Sequence, residues 1–191
     1  MNPVEVLEVL ERKGAVQRGH FKLSSGRHSD VYVQKFRVFE NPRLTCAFAE
    51  AIAERFAGQF DVVASPAVGA IVLGFAVGMA AGRKTIFAER VEGSLDLRRG
   101  FTVAPHERVL VVEDVITTGS SAREVVDLVK AKGGIPVGVA ALIDRADASR
   151  GGLGAPLEAL LELHVESWDA EDCPLCEKGE PITDPGSRRA L

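Results

Sequence analysis

Cysteine is scarce in this chain, with three among 191 residues, and no secretion signal accompanies them, which fits a reducing cytosol. The opening Met1-Asn-Pro-Val-Glu-Val has neither a basic n-region nor an apolar signal core, so a cytoplasmic location is expected rather than export. Neither sign of charge dominates. Lys and Arg number 23 against 27 Asp and Glu, a net charge of −4 with the signs interspersed, so no broad nucleic-acid footprint is present. Internal repeats and low-complexity blocks are missing. There is no Gly-x-x-x-x-Gly-Lys-Ser/Thr loop and no Gly-x-Gly-x-x-Gly after a strand, which argues against a triphosphate or dinucleotide site of those kinds. Residues 62–82 make one uncharged run long enough to span a bilayer. Ser65-Pro66 would break it after a short strand, and its Gly and Ala content suits close packing on a sheet, so a buried βα unit is expected and no membrane partner.

What the chain does have is concentrated in residues 109–121, Val-Leu-Val-Val-Glu-Asp-Val-Ile-Thr-Thr-Gly-Ser-Ser. Val109 to Val112 read as a buried strand of a parallel sheet. Glu113 and Asp114 follow where that strand would end, and Thr117, Thr118, Gly119, Ser120 and Ser121 open an amphipathic helix. Ligands of open α/β sheets bind beyond the carboxyl ends of the strands. A helix start built from Gly and small hydroxyl residues offers several free backbone N–H groups to one anion. The acids suit vicinal hydroxyls or a magnesium ion, so the pair of features fits a sugar 5-phosphate. A capped helix alone needs one hydroxyl, not four beside an acid pair.

Along the rest of the chain, Pro3 to Lys13 reads as a helix, and the alternating run Val31 to Val38 reads as a strand after the turn Ser24-Ser25-Gly26. Asn41-Pro42 starts a helix to about Phe56. Strand 62–64, helix 69–81, strand 85–89, a charged loop 90–100, strand 108–113, helix 120–132 and strand 136–143 follow. This alternation implies an α/β fold with a parallel sheet and right-handed crossovers.

The 109–121 segment resembles the phosphoribosyl pyrophosphate (PRPP) binding motif of type I phosphoribosyltransferases. His20-Phe-Lys-Leu-Ser-Ser-Gly-Arg-His-Ser-Asp-Val-Tyr32 is similar to the N-terminal signature of the orotate phosphoribosyltransferases, and the likeness spans nearly the whole chain, through Gly186-Ser-Arg188. The resemblance implies a parallel sheet flanked by helices in a single domain, 1–191. About 1–40 would contribute a small hood, and about 165–191 would be irregular. It implies transfer of the phosphoribosyl group from PRPP to orotate, giving orotidine 5′-monophosphate and pyrophosphate in UMP biosynthesis, with Mg2+ carried by PRPP and a homodimer sharing a mobile loop.

The residue roles it implies are specific. Glu113 and Asp114 would fix the ribose, and Val115 to Ser121 would bind PRPP, with Thr117 to Ser121 holding its 5-phosphate. Ala67 and Val68, in Ser65-Pro-Ala-Val-Gly69, match the pyrophosphate loop. Arg90 would meet the pyrophosphate and join the acid pair in catalysis. Thr117, Arg145 and Tyr32 would contact orotate, a carboxylate-bearing base that suits a bidentate arginine. For Tyr32 a core tyrosine is the competing reading, and for Arg145 an exposed ion pair with Asp144 or Asp147. The chain departs from the family's pattern at Ser24, at Gly69 or Ala70, and in residues 89–101, where lysines are missing and Arg98 and Arg99 stand instead. A transferase for another base and a non-catalytic PRPP-sensing regulator are the alternatives. Cys173-Pro-Leu-Cys176 has half the spacing of a zinc knuckle. A second cysteine pair is missing; two subunits could supply a Cys₄ site, or the pair could be redox-active or idle, and a structural or idle role is favoured over zinc.

Overall fold

The computed structural model describes residues 1–23, 25–145 and 151–185. Ser24, Asp147 and the Gly186–Arg188 ending fall outside them. Among the described residues, six α-helices, α1 Pro3–Arg12, α2 Phe36–Phe39, α3 Pro42–Arg55, α4 Ile71–Ala81, α5 Ser120–Ala131 and α6 Pro174–Glu177, and a 3₁₀ turn, Ala170–Asp172, accompany two sheets. The main sheet has the order β5-β4-β3-β6-β7-β8, built from β3 Val62–Pro66, β4 Lys84–Val91, β5 Ser94–Leu97, β6 Arg108–Ile116, β7 Ile135–Asp144 and β8 Leu157–Glu162. All its pairings are parallel except the β4–β5 hairpin at one edge. The smaller sheet pairs β1 Val16–Lys22, β2 His28–Val33 and β9 Ser167–Trp168 antiparallel.

Strand alternation sorts the core into two layers. On β6, Leu110 and Val112 join the cluster under α1, α3 and α4, while Val109 and Val111 join the cluster under α5. Both faces are covered, which is why the strand reads as a continuous apolar run. Helices α1, α3 and α5 start where expected: Asn2 caps α1 in a reciprocal capping box with Glu5, and the Asn41 side chain accepts from Leu44 N at α3. Among the described residues no helix is long and apolar enough to cross a membrane; the uncharged run is β3 plus the 11-residue α4.

Three expectations are corrected. The strand over Val31–Val38 ends at Val33, and Phe36–Phe39 turn into a short helix. Apolar positions slip there from 31 and 33 to 36 and 38, so one strand face could not hold them all. The charged loop 90–100 is instead a hairpin, closed at Glu92-Gly93 with φ of 49° and 96°, the double positive φ of a type I′ turn. Finally, β6 runs on through Glu113 and Asp114 to Ile116, paired with β7 as far as Ile116↔Asp144. The acids lie within the strand, not after it.

Candidate active site

Four segments meet at the carboxyl end of β3 and β6. Continuing the β6 alternation puts Asp114 on the α4 side of the sheet, where the turn after β3 arrives. Gly69 of that turn packs directly on Asp114 Oδ2 and Lys35 Nζ, and a Cβ at this position would collide with both. The turn is anchored by Ala67 N, which donates to Ala88 O of β4 at 2.8 Å, and its Ala67–Val68 peptide is cis. Val68 stands 77% exposed beyond it.

Both carboxylates are buried, Glu113 at 8% and Asp114 at 2% exposure. Asp114 Oδ1 accepts from Val115 N at 2.6 Å, and Oδ2 forms an ion pair with Lys35 Nζ at 2.5 Å. Glu113 Oε1 accepts from Asp114 N at 3.2 Å. Burial first, and the neighbouring Asp114 charge second, push the Glu113 carboxyl up to about 8. The site therefore holds one carboxylate answered by a lysine beside a second acid that keeps its proton at neutral pH.

Next to the acids the chain turns at Gly119, whose φ of 74° needs no Cβ, and α5 begins. No side chain caps this helix. The first intrahelical bond is Arg123 N to Gly119 O at 3.0 Å, so the amides of Ser120, Ser121 and Ala122 precede the hydrogen-bonded ladder. Thr118 Oγ1 donates to Ser120 Oγ at 3.3 Å rather than to the backbone. Hydroxyls are abundant here and none is spent on capping, so the amides and the helix dipole stay available to an anion.

Arg145 follows β7 directly. Its N donates to Ile116 O at 2.9 Å, which sets it beside Thr117, and both residues are half-buried. Tyr32 is half-buried on β2, its ring 5.6 Å from that of Phe21. Arg90 lies within β4, not after it, and the Glu124 carboxylate of α5 holds its guanidinium at 3.0 and 3.1 Å. Arg99 is likewise gripped by Glu89 at 2.8 and 2.9 Å, while Arg98 is exposed. Of the three arginines, two are tied to acids that an incoming anion would have to displace.

The sequence reading missed Lys35. It stands in a stretch read as strand, and nothing local marks it; only the approach of the β2–α2 connection to β6 brings it to Asp114. Cys173 and Cys176 are drawn together with His20 and His28 on the small sheet, a grouping that the search for a second cysteine pair overlooked.

No protein-family model matches the chain. It is 43% identical over 190 residues to the orotate phosphoribosyltransferase of Caldanaerobacter subterraneus subsp. tengcongensis, covering 99% of this chain and 100% of the relative. It is 46% identical over 189 residues to that of Chlorobium phaeobacteroides, covering 98% and 97%. Among solved structures, the Mycobacterium tuberculosis orotate phosphoribosyltransferase in complex with PRPP superposes with a TM-score of 0.65 at 30% identity, covering 84% of this chain and 96% of that one.

Proposed function

The chain belongs to the orotate phosphoribosyltransferase family, and on that premise we propose which of its residues carry the reaction. It transfers the 5-phosphoribosyl group from PRPP to orotate, giving orotidine 5′-monophosphate and pyrophosphate. The observation that carries the residue assignment is the uncapped start of α5 beside a buried acid pair. One end takes a phosphomonoester and the other a pair of hydroxyls.

Displacement at the anomeric carbon passes through an oxocarbenium-like state, so the protein must position the base and stabilise the leaving group rather than supply a nucleophile. In this reading the amides and hydroxyls of Thr117 to Ser121 hold the 5-phosphate. Glu113 and Asp114 hold the ribose hydroxyls, and the Asp114 carboxylate favours positive charge developing on the ring. Ala67 and Val68 bring backbone to the pyrophosphate, and Gly69 lets their turn pack against Asp114 and Lys35. Arg90 reaches the pyrophosphate on release from Glu124, and the exposed Arg98 is the second candidate. Thr117 and Arg145 read the orotate, with Tyr32 against its ring. The carboxylates of Glu113 and Asp114 are hard oxygen donors of the kind that suits Mg2+ arriving on PRPP, with Asp114 Oδ2 available once Lys35 gives way. Bound there, the ion would neutralise the departing pyrophosphate.

We also assign the assembly as a homodimer. On α4, Val72, Phe75 and Met79 are 45%, 62% and 59% exposed, and with Phe87 and Phe101 they line an apolar groove. Such a contiguous patch suits a second copy of the chain, and it continues from the turn carrying Val68.

The test is pyrophosphate release from PRPP with orotate, hypoxanthine, adenine or uracil as acceptor. Turnover with orotate alone is expected. Consumption of only another base would overturn the substrate assignment, and PRPP binding without orotidylate would mark a regulator.

A further inference from the structure

Four side chains outside the reaction site converge between the small sheet and the C-terminal segment. His20 Nε2 and His28 Nδ1 face each other at 3.1 Å. Cys173 Sγ lies 3.6 Å from His20 Nε2, and Cys176 Sγ lies 3.7 Å from His20 Nε2 and 3.2 Å from His28 Nδ1. All four atoms fall within 4.8 Å of one another. His20, His28 and Cys173 are buried, at 4%, 7% and 0% exposure.

These separations can be compared with a tetrahedron. Zinc bonds of roughly 2.0–2.1 Å to nitrogen and about 2.3 Å to sulfur give ligand–ligand edges of about 3.3 Å for N–N and about 3.6 Å for N–S. The one N–N and three N–S edges given above match those figures within a few tenths of an ångström, and the remaining two lie within 4.8 Å. The tautomer fits as well. His20 Nδ1 stands 2.9 Å from Glu180 O, and a carbonyl only accepts, so Nδ1 carries the proton and Nε2 turns a lone pair into the cluster. A backbone carbonyl orienting a histidine in this way is the usual outer support of a metal-bound imidazole.

We propose that His20, His28, Cys173 and Cys176 form a closed Cys₂His₂ site for a structural zinc ion. Two thiolates and two imidazoles favour zinc over the harder divalent cations, and four protein ligands leave no position for substrate. The ion fastens the C-terminal segment onto the β1–β2 hairpin, residues 153 apart in the case of His20 and Cys173. The surrounding contacts lead to the same junction: Thr183 N donates to His20 O at 2.8 Å, and His28 pairs with Trp168. Strand β9 has only two residues, so its pairing with β2 ties the C-terminal segment to the hairpin at just two positions, and a metal would add a second tether there. Through β2 the staple also fixes the approach of Lys35 to Asp114.

The test is the metal content of the wild-type protein purified under reducing conditions, then titration of the stripped protein with Zn2+ or Co2+ alone. About one zinc per chain is expected. Co2+ should give the visible bands of a tetrahedral site with thiolate charge transfer, and stripping should lower Tm. Cys173→Ser/Cys176→Ser and His28→Gln should each weaken Zn2+ binding by more than about 100-fold. Folded wild-type protein that retains no zinc after incubation and desalting would overturn the site, leaving a hydrogen-bonded thiol–imidazole cluster. Equal retention by wild type and both variants would overturn it too.

Discussion

Glu113→Gln separates the buried-acid reading from a merely structural one. Burial and the Asp114 charge raise the Glu113 carboxyl from 4.5 to about 8. At roughly 1.36 kcal/mol per unit, that gap is on the order of 5 kcal/mol of pH-dependent stability. The sign follows from proton counting: between 4.5 and about 8 the folded chain keeps a proton that the unfolded chain has released. This contribution is therefore complete below 4.5, shrinks as pH rises, and is gone above about 8. A glutamine is neutral throughout and has no such dependence. Urea denaturation of both proteins across this window should show the variant gaining on wild type with rising pH, by up to about 5 kcal/mol. A difference that stays flat from the acid to the alkaline end would refute the reasoning, because Glu113 would then ionise in the fold as freely as in water.

Other outcomes can be stated together. Lys35→Met leaves Asp114 buried without its cation; as Lys35 is itself 32% exposed, a loss of about 1–3 kcal/mol in denaturation is expected. A change below about 0.5 kcal/mol would mean that water answers Asp114 instead. Asp114→Asn should reduce kcat by roughly 100- to 1,000-fold with the fold retained, and unaltered turnover and PRPP affinity would remove Asp114 from the mechanism. Arg145→Ala should raise KM for orotate about 10- to 100-fold while PRPP affinity, read by calorimetry, holds steady. Phe75→Glu should turn dimers into monomers in sedimentation velocity, and an unchanged profile would refute the α4 interface.

The parallel α/β architecture and the phosphate cradle were legible because both depend on neighbours in sequence. The β-branched run of β6, covered on both faces, and the Gly and hydroxyl turn before α5 carry their signals within thirteen residues. The helix starts at Asn2 and Asn41 were equally local. Misreadings fell where one pattern served two structures. The alternation through Val31 and Val33 shifts phase at Lys35, and the charged stretch from Arg90 folds back as the β4–β5 hairpin because Glu92-Gly93 adopts positive φ.

The order of residues thus determined the family, the sheet strand that bears the acids and the turn that offers amides, since each rests on contacts a few positions apart. Long-range closure decided the rest. Burial raised Glu113, the chain's return placed Lys35 on Asp114, and Glu124 claimed Arg90. The same closure brought two histidines eight residues apart to two cysteines near the other end. Such pairings depend on how layers pack, and no spacing along the chain encodes them.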